Sequence, residues 1–587
     1  MKLRHAASCL GALAIGVIAE PALSEAPVHD ILIRGGTIYD GTGHAPYVGD
    51  VVIDGDRIVS VGAQGPIEAR QIIDARGKAV TPGFINMLSQ AQESLLADGR
   101  AQSDLRQGVT LEIMGEGDSM APLTDAMARR NEGREGDIKY PITWRTLGQY
   151  LELLEKRGVS PNVASFVGAA SVRDYVLGED NVQPTPAQLQ AMQAQVRQGM
   201  EEGALGLSSA LIYTPGAFAQ TPELIGLASE AGRCGGIYIT HMRSEGDRFL
   251  EGIDETIAIA KASNAPAEIY HLKAAGRQNW SKLDPAIAKI EAAQASGMHL
   301  TANMYPYTAA STGFDASMPT WVQEGGLEAW IARMKIPAVR ARLVHEMQNP
   351  PPGFESALAS AGAEGTLLLG FKTEALKPLT GKTLAEVARL RKESPEDTAV
   401  DLVIEDGSRI LVSYVLMSEA NVRKEVALPW VSFGSDEEGA APEGVFLESA
   451  PHPRAYGTFA KVLGQYVRDD KLTTLQDAVR RMSGLPASNL SLKDRGLLKS
   501  GFYADVVVFD PQSIQDHATY AQPNQFATGV EQVLVNGVVA LKNGVPTGAH
   551  SGRVVRGQAW TGWPGGGCRA SAHDWSWAAI GGPTPAP

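Results

Sequence analysis

Eight short apolar runs separated by helix-like stretches constrain this chain more than any other feature. They are VTPGFI, VTLEIMG, NVASFVG, ALGLSS, GIYITH, AEIYH, LTANMYPY and WVSFGSD. A strand that is apolar throughout is buried on both faces, and such strands alternating with helices form a parallel sheet covered by helices. Eight of them predict closure into a (β/α)8 barrel, an α/β architecture whose catalytic face lies at the C-terminal ends of the strands.

The flanks read differently. DILIRGGTIYD and GDVVIDGDRIVSVG near the start, and ADVVVFDP and EQVLVNGVVALKNG near the end, alternate apolar and polar positions with Gly and Asp at the breaks. These are short antiparallel strands. They predict a small β-sandwich domain assembled from both termini, residues 28–80 and 486–557, around a barrel over 81–485. Only strands seven and eight are far apart, because Thr308 to Trp430 exceeds one helical crossover of roughly 30 residues. An insertion within 308–430 is expected, either as a lid over the barrel mouth or as a decoration elsewhere. With 587 residues, 44% of them hydrophobic, the chain can bury such a core.

The opening MKLRHAASCLGALAIGVIAEPALSE has Lys2 and Arg4, an apolar run from Ala6 to Ala19, and small residues Ala22 and Ser24. It reads as a secretory signal over 1–24, which predicts an exported protein, periplasmic or secreted. Cys9 falls too early for a lipoprotein signal. Only Cys234 and Cys568 follow the cleavage point, so no disulfide framework is expected. A formal charge of −14 argues against nucleic acid and anionic membranes as partners, and no later segment is long enough to span a bilayer. Residues 558–587, rich in Gly and Pro with several Trp, form either a flexible end or a clamp on the barrel.

His241 ends the fifth run and His271 the sixth, while Glu116 follows the second and Asp436 ends the eighth. Neighbouring barrel strands bring such residues to one mouth, where two imidazoles and two carboxylates suit zinc. Singly, each is an ordinary hydrogen-bonded strand-end group; together they point to a metal centre.

The ordered segments VTPGF, LRQGVT, MGEGDS, GLSSALIYTPG, THMRSEG, HLKAAGRQNW, YPYTAAST, FGSD, HPRAYGTF and ADVVVFDP resemble the signature of the N-acyl-D-amino-acid deacylases (D-aminoacylases) of the amidohydrolase superfamily. The likeness runs from about Asp30 to Gly557. It implies a zinc-dependent hydrolase of the amide bond of small N-acylated amino acids. The metal falls to Glu116, His241 and His271, and Asp436 becomes the general base and acid for a zinc-activated water. Lys273, Tyr213, Tyr305 and Ser311 are implied as contacts of a small-molecule substrate with a free carboxylate. Arg454 either adds charge there or braces a loop.

The chain departs from that pattern just after VTPGF. Where the superfamily carries His-x-His for a second metal, this sequence reads NMLSQAQ, with Leu88 and Gln90 at the two positions. No histidine lies between His44 and His241 to substitute. A family-like Gly-His-Gly is here Gly168, Ala169 and Ala170. One zinc per chain is therefore expected, since three protein ligands plus water make an ordinary catalytic site. Two other readings stay open: altered chemistry on the same fold, such as a peptidase or a ring-opening or ring-closing enzyme, and a silent binding protein that has lost its metal chemistry.

Overall fold

The structure, a computed structural model, describes residues 28–63, 65–560 and 568. The signal segment lies outside these residues, as does most of the 558–587 tail.

Eight parallel strands form the barrel. They are Phe84–Asn86, Val109–Met114, a third broken at Phe166 into Asn162–Ser165 and Val167–Gly168, Gly206–Ala210, Ile237–His241, Ala267–Ile269, Leu300–Met304 and Val431–Phe433. Each pairs in parallel with its neighbour, as in Tyr238 opposite Ala267 and Ala267 opposite Leu300. The ring closes between strands one and eight, where the Met87 amide donates to Phe433 O at 3.2 Å and the Asp436 amide to Leu88 O at 2.8 Å. Ile85, Met87, Leu88, Leu111, Ile113, Phe166, Ile239 and Tyr270 fill the interior. A packed interior leaves the mouth as the place for chemistry.

The crossover helices have recognisable starts. Thr146 and Thr185 each accept the amide three residues on while Gln149 and Gln188 reach back, and Pro186 opens the second of these helices, Pro186–Glu201. Such capping boxes satisfy amide groups that a helix N-terminus otherwise leaves unpaired.

Both flanks meet in one nine-stranded sheet. Ala79–Pro82 pairs antiparallel with Val506–Phe509, which joins the N-terminal strands to the C-terminal ones. Side chains alternate along that strand. Val506 and Val508 pack with Ile31, Ile33, Val51 and Ile53, whereas Val507 and Phe509 pack on the barrel side with Phe84 and Phe459.

Between strands seven and eight, Ala309–Gly313, Thr366–Gly370 and Leu411–Val415 make a three-stranded antiparallel sheet. Its first strand leaves the barrel mouth directly after Tyr305–Tyr307, so the insertion begins beside the strand ends rather than on a remote face. Among the described residues, no helix is long and apolar enough to cross a membrane.

One expectation is corrected. Cys234 and Cys568 form a disulfide, with Cα atoms 4.8 Å apart across 334 residues of chain. Cys234 caps the helix Thr221–Arg233, and the Cys568 amide also donates to Glu201 Oε1 at 3.3 Å, so the tail is anchored on the barrel's helical layer at this point. Two cysteines so distant in sequence carry no spacing signal. Their proximity exists only in the fold.

Candidate metal centre

The second barrel strand delivers Glu116 through Gly115 and Gly117, at φ 93° and 67°. A side chain at position 115 would meet Phe166 O at 2.8 Å and one at 117 the Ala210 amide at 2.7 Å, so this turn requires glycine on both sides of the carboxylate. The helix Ala169–Leu177, directly after the third strand, supports it, since the Ala170 amide donates to Gly117 O at 3.0 Å. His241 ends strand five. His271 stands two residues past strand six at φ 33°, its amide held by Asn303 Oδ1 at 2.8 Å. Asp436 is also left-handed, at φ 53°, and its amide donates to Leu88 O at 2.8 Å. Asn86 accepts the preceding Ser435 amide at 2.8 Å. Unfavourable backbone at two side chains that face one mouth persists only where the surrounding structure enforces it.

These elements bring the groups together. Glu116 Oε1 lies 2.9 Å from His271 Nε2 and 3.2 Å from His241 Nδ1. One ligand atom from each of the three residues falls within 4.8 Å of the others. His241 Nε2 is buried and has no hydrogen-bond partner. Two imidazoles and a carboxylate of this separation fit a zinc ion. Burial works to raise the Glu116 carboxyl, but the two histidines hold it well below the usual carboxylate range.

Glu245, four residues after His241 in THMRSEG, is a residue the sequence reading passed over. Its Oε1 lies 3.0 Å from His271 Nδ1 and 2.6 Å from Lys273 Nζ, and its Oε2 3.7 Å from His241 Nε2. Burial opposes ionisation, yet Lys273 and both histidines hold the Glu245 carboxyl well below its ordinary value. The signal was a carboxylate four residues beyond a metal-type histidine. Lys273 Nζ also reaches His271 Nδ1 at 2.8 Å, so the lysine implied as a substrate anchor is already engaged with the metal-side histidine.

Asp436 sits between two partners. Arg454 Nη1 stands 2.9 Å from its Oδ2, close in charge though not aligned as a hydrogen bond, and Gln90 Nε2 lies 3.3 Å from its Oδ1. Burial raises the Asp436 carboxyl and the nearby Glu116 adds to this, while Arg454 works against both. Arg454 is 2% exposed, lies 4.4 Å over the Tyr305 ring, and donates to Ser311 O at 3.4 Å. It thus braces the insertion's first strand and carries charge at the mouth, joining the two roles that the sequence left open. The Tyr305 hydroxyl and Ser311 Oγ are buried without a partner. Tyr213 packs on His241 with ring centres 5.3 Å apart, and its oxygen accepts from Thr312 Oγ1 at 2.8 Å.

Residues 71–541 match the amidohydrolase family model. The D-aminoacylase of Alcaligenes xylosoxydans xylosoxydans is 30% identical over 538 residues, spanning 91% of this chain and 98% of that protein. A D-aminoacylase structure described by its binuclear metal centre, with one-metal activation and second-metal attenuation, superposes with TM-score 0.76 at 32% identity, covering 90% of this chain and 99% of that one. An N-acyl-D-glutamate deacylase from Bordetella bronchiseptica, complexed with zinc and a phosphonate mimic of the tetrahedral intermediate, gives 0.76 at 29% identity over 90% and 100%. The chain belongs to the amidohydrolase family, within its D-aminoacylase branch.

Proposed function

We propose that this protein is an exported, zinc-dependent hydrolase that cleaves the amide bond of small N-acylated amino acids, using Glu116, His241 and His271 to hold one ion and Asp436 to move protons. The observation that carries the reading is the convergence of those three ligand residues beside a buried, paired aspartate, in a chain that spans nearly the whole of a D-aminoacylase.

Zinc held there would supply Lewis acidity to the amide carbonyl and bring the pKa of a water to about 7. Asp436 takes a proton from the attacking water as the new C–O bond forms. It then gives that proton to the departing nitrogen as the C–N bond breaks; the second proton of the water, left on the new carboxyl group, passes to the freed amine, so that the products leave as a carboxylate and an ammonium. Arg454 keeps the carboxylate in place through both transfers. Tyr213, whose oxygen accepts from Thr312, retains its own proton to donate to the substrate.

The substrate's free carboxylate is assigned to Tyr305 and Ser311, whose unpartnered hydroxyls lie with Arg454, and to Lys273, whose Nζ is 5.7 Å from the Tyr305 ring centre. The Cys234–Cys568 bond supports export, since disulfides persist in oxidising compartments. The reading is tested by screening the purified mature protein, loaded with zinc, against N-acyl-D and N-acyl-L amino acids and dipeptides. Release of a free amino acid is expected. A folded, zinc-loaded protein that releases none from the whole panel contradicts it.

A further inference from the structure

Position 90, where the family pattern places a metal-binding histidine, is fully engaged. The Gln90 carboxamide nitrogen donates to Glu116 Oε2 at 2.7 Å and reaches Asp436 Oδ1 at 3.3 Å. Its carbonyl oxygen accepts from Gln92 Nε2 at 3.3 Å, which fixes the end of the amide that faces the carboxylates. A primary amide has two N–H donors, and here each is directed at a different carboxylate. One carboxylate comes from barrel strand two and the other from strand eight.

Two carboxylates joined through a shared group is what a bridging cation produces. A neutral amide supplies the same link without the charge, and the charge is met from outside the pair. Arg454 Nη1 faces the other oxygen of Asp436, and the imidazoles of His241 and His271 face the other oxygen of Glu116. The second altered position contributes nothing to a metal. Leu88 is 1% exposed, and its carbonyl is occupied by the Asp436 amide. An ion placed between Glu116 and Asp436 would have to displace the Gln90 amide and would find no nitrogen ligand in this loop.

We propose that the Gln90 carboxamide replaces a second metal ion as the link between Glu116 and Asp436, so that the centre is mononuclear by construction and Gln90 is a positioning residue for the proton carrier. This rests on the metal-dependent reading above. It goes further in assigning a task to a residue that otherwise marks only a lost ligand, and it implies that the missing histidine pair altered the support of Asp436 rather than abolishing it.

The test titrates metal-free protein with Co(II), counting equivalents by calorimetry and by the visible spectrum, for wild type, Gln90→Leu and Gln90→Glu. Wild type and Gln90→Leu are expected to take one equivalent. Gln90→Glu is expected to take a second, because a third carboxylate in place of the donor needs a cation. With a hydrolysable substrate, Gln90→Leu should lose about 10²-fold in kcat, the cost of a misplaced catalytic group, while KM stays within about twofold. Two equivalents in wild type, no second equivalent in Gln90→Glu, or wild-type kcat in Gln90→Leu would each overturn the proposal. A wild type that binds no ion overturns the metal reading and this one together. One bound equivalent with no turnover on any amide removes the substrate reading alone, and the Gln90→Glu titration still decides the role of Gln90.

Discussion

Glu245 Oε1 lies 2.6 Å from Lys273 Nζ, and that same oxygen is 3.0 Å from His271 Nδ1. A carboxylate on the outer nitrogen of a ligating histidine fixes the ring's orientation and tautomer, and losing it typically costs 10–100-fold in metal affinity or activity. Glu245→Gln is therefore expected to weaken zinc binding by roughly that factor. Competition with a chromophoric chelator measures it, and unchanged affinity would remove Glu245 from the support of the site.

Lys273 and Asp436 should fail in different ways. Asp436→Asn is expected to lower kcat by about 10²–10⁴-fold, the range of general acid–base catalysis, with zinc content unchanged. Lys273→Met should raise KM for substrates with a free carboxylate and also release zinc more readily, because it leaves Glu245 buried without its cation. Steady-state kinetics paired with elemental analysis of each variant separate the two. Full activity in Asp436→Asn would refute the proton-carrier assignment.

The proposed export makes a chemical prediction about the N-terminus and the two cysteines. Protein isolated from its native host should begin near Glu25, and Cys234 and Cys568 should resist alkylation until a reductant is added. Intact-mass spectrometry before and after reduction reads both. A retained Met1 with two freely alkylated thiols would contradict export and the disulfide at once.

The barrel was legible because eight apolar runs ending in polar residues have few other uses, and strand order brings His241 and His271 to neighbouring positions. Glu116 could be placed with them because it follows the second run. Other features depend on contacts between loops that no local pattern encodes. Glu245 lies in the very segment that presents His241, but its partnership with Lys273 requires the loops after strands five and six to face each other. Gln90 reads as a lost ligand until the closure of strand eight on strand one sets Asp436 beside it. The two cysteines meet across most of the chain, beyond the reach of any spacing rule.

The most direct measurement is the zinc content of the wild-type protein and of His271→Ala, determined by elemental analysis alongside release of free amino acid from the best N-acyl amino acid, before and after chelation and re-addition of metal. About one zinc per chain in wild type is predicted, with turnover that disappears on chelation and returns with zinc, and with neither metal nor turnover in His271→Ala. Turnover that survives complete removal of metal, or a His271→Ala protein that keeps both its zinc and its activity, would contradict the account.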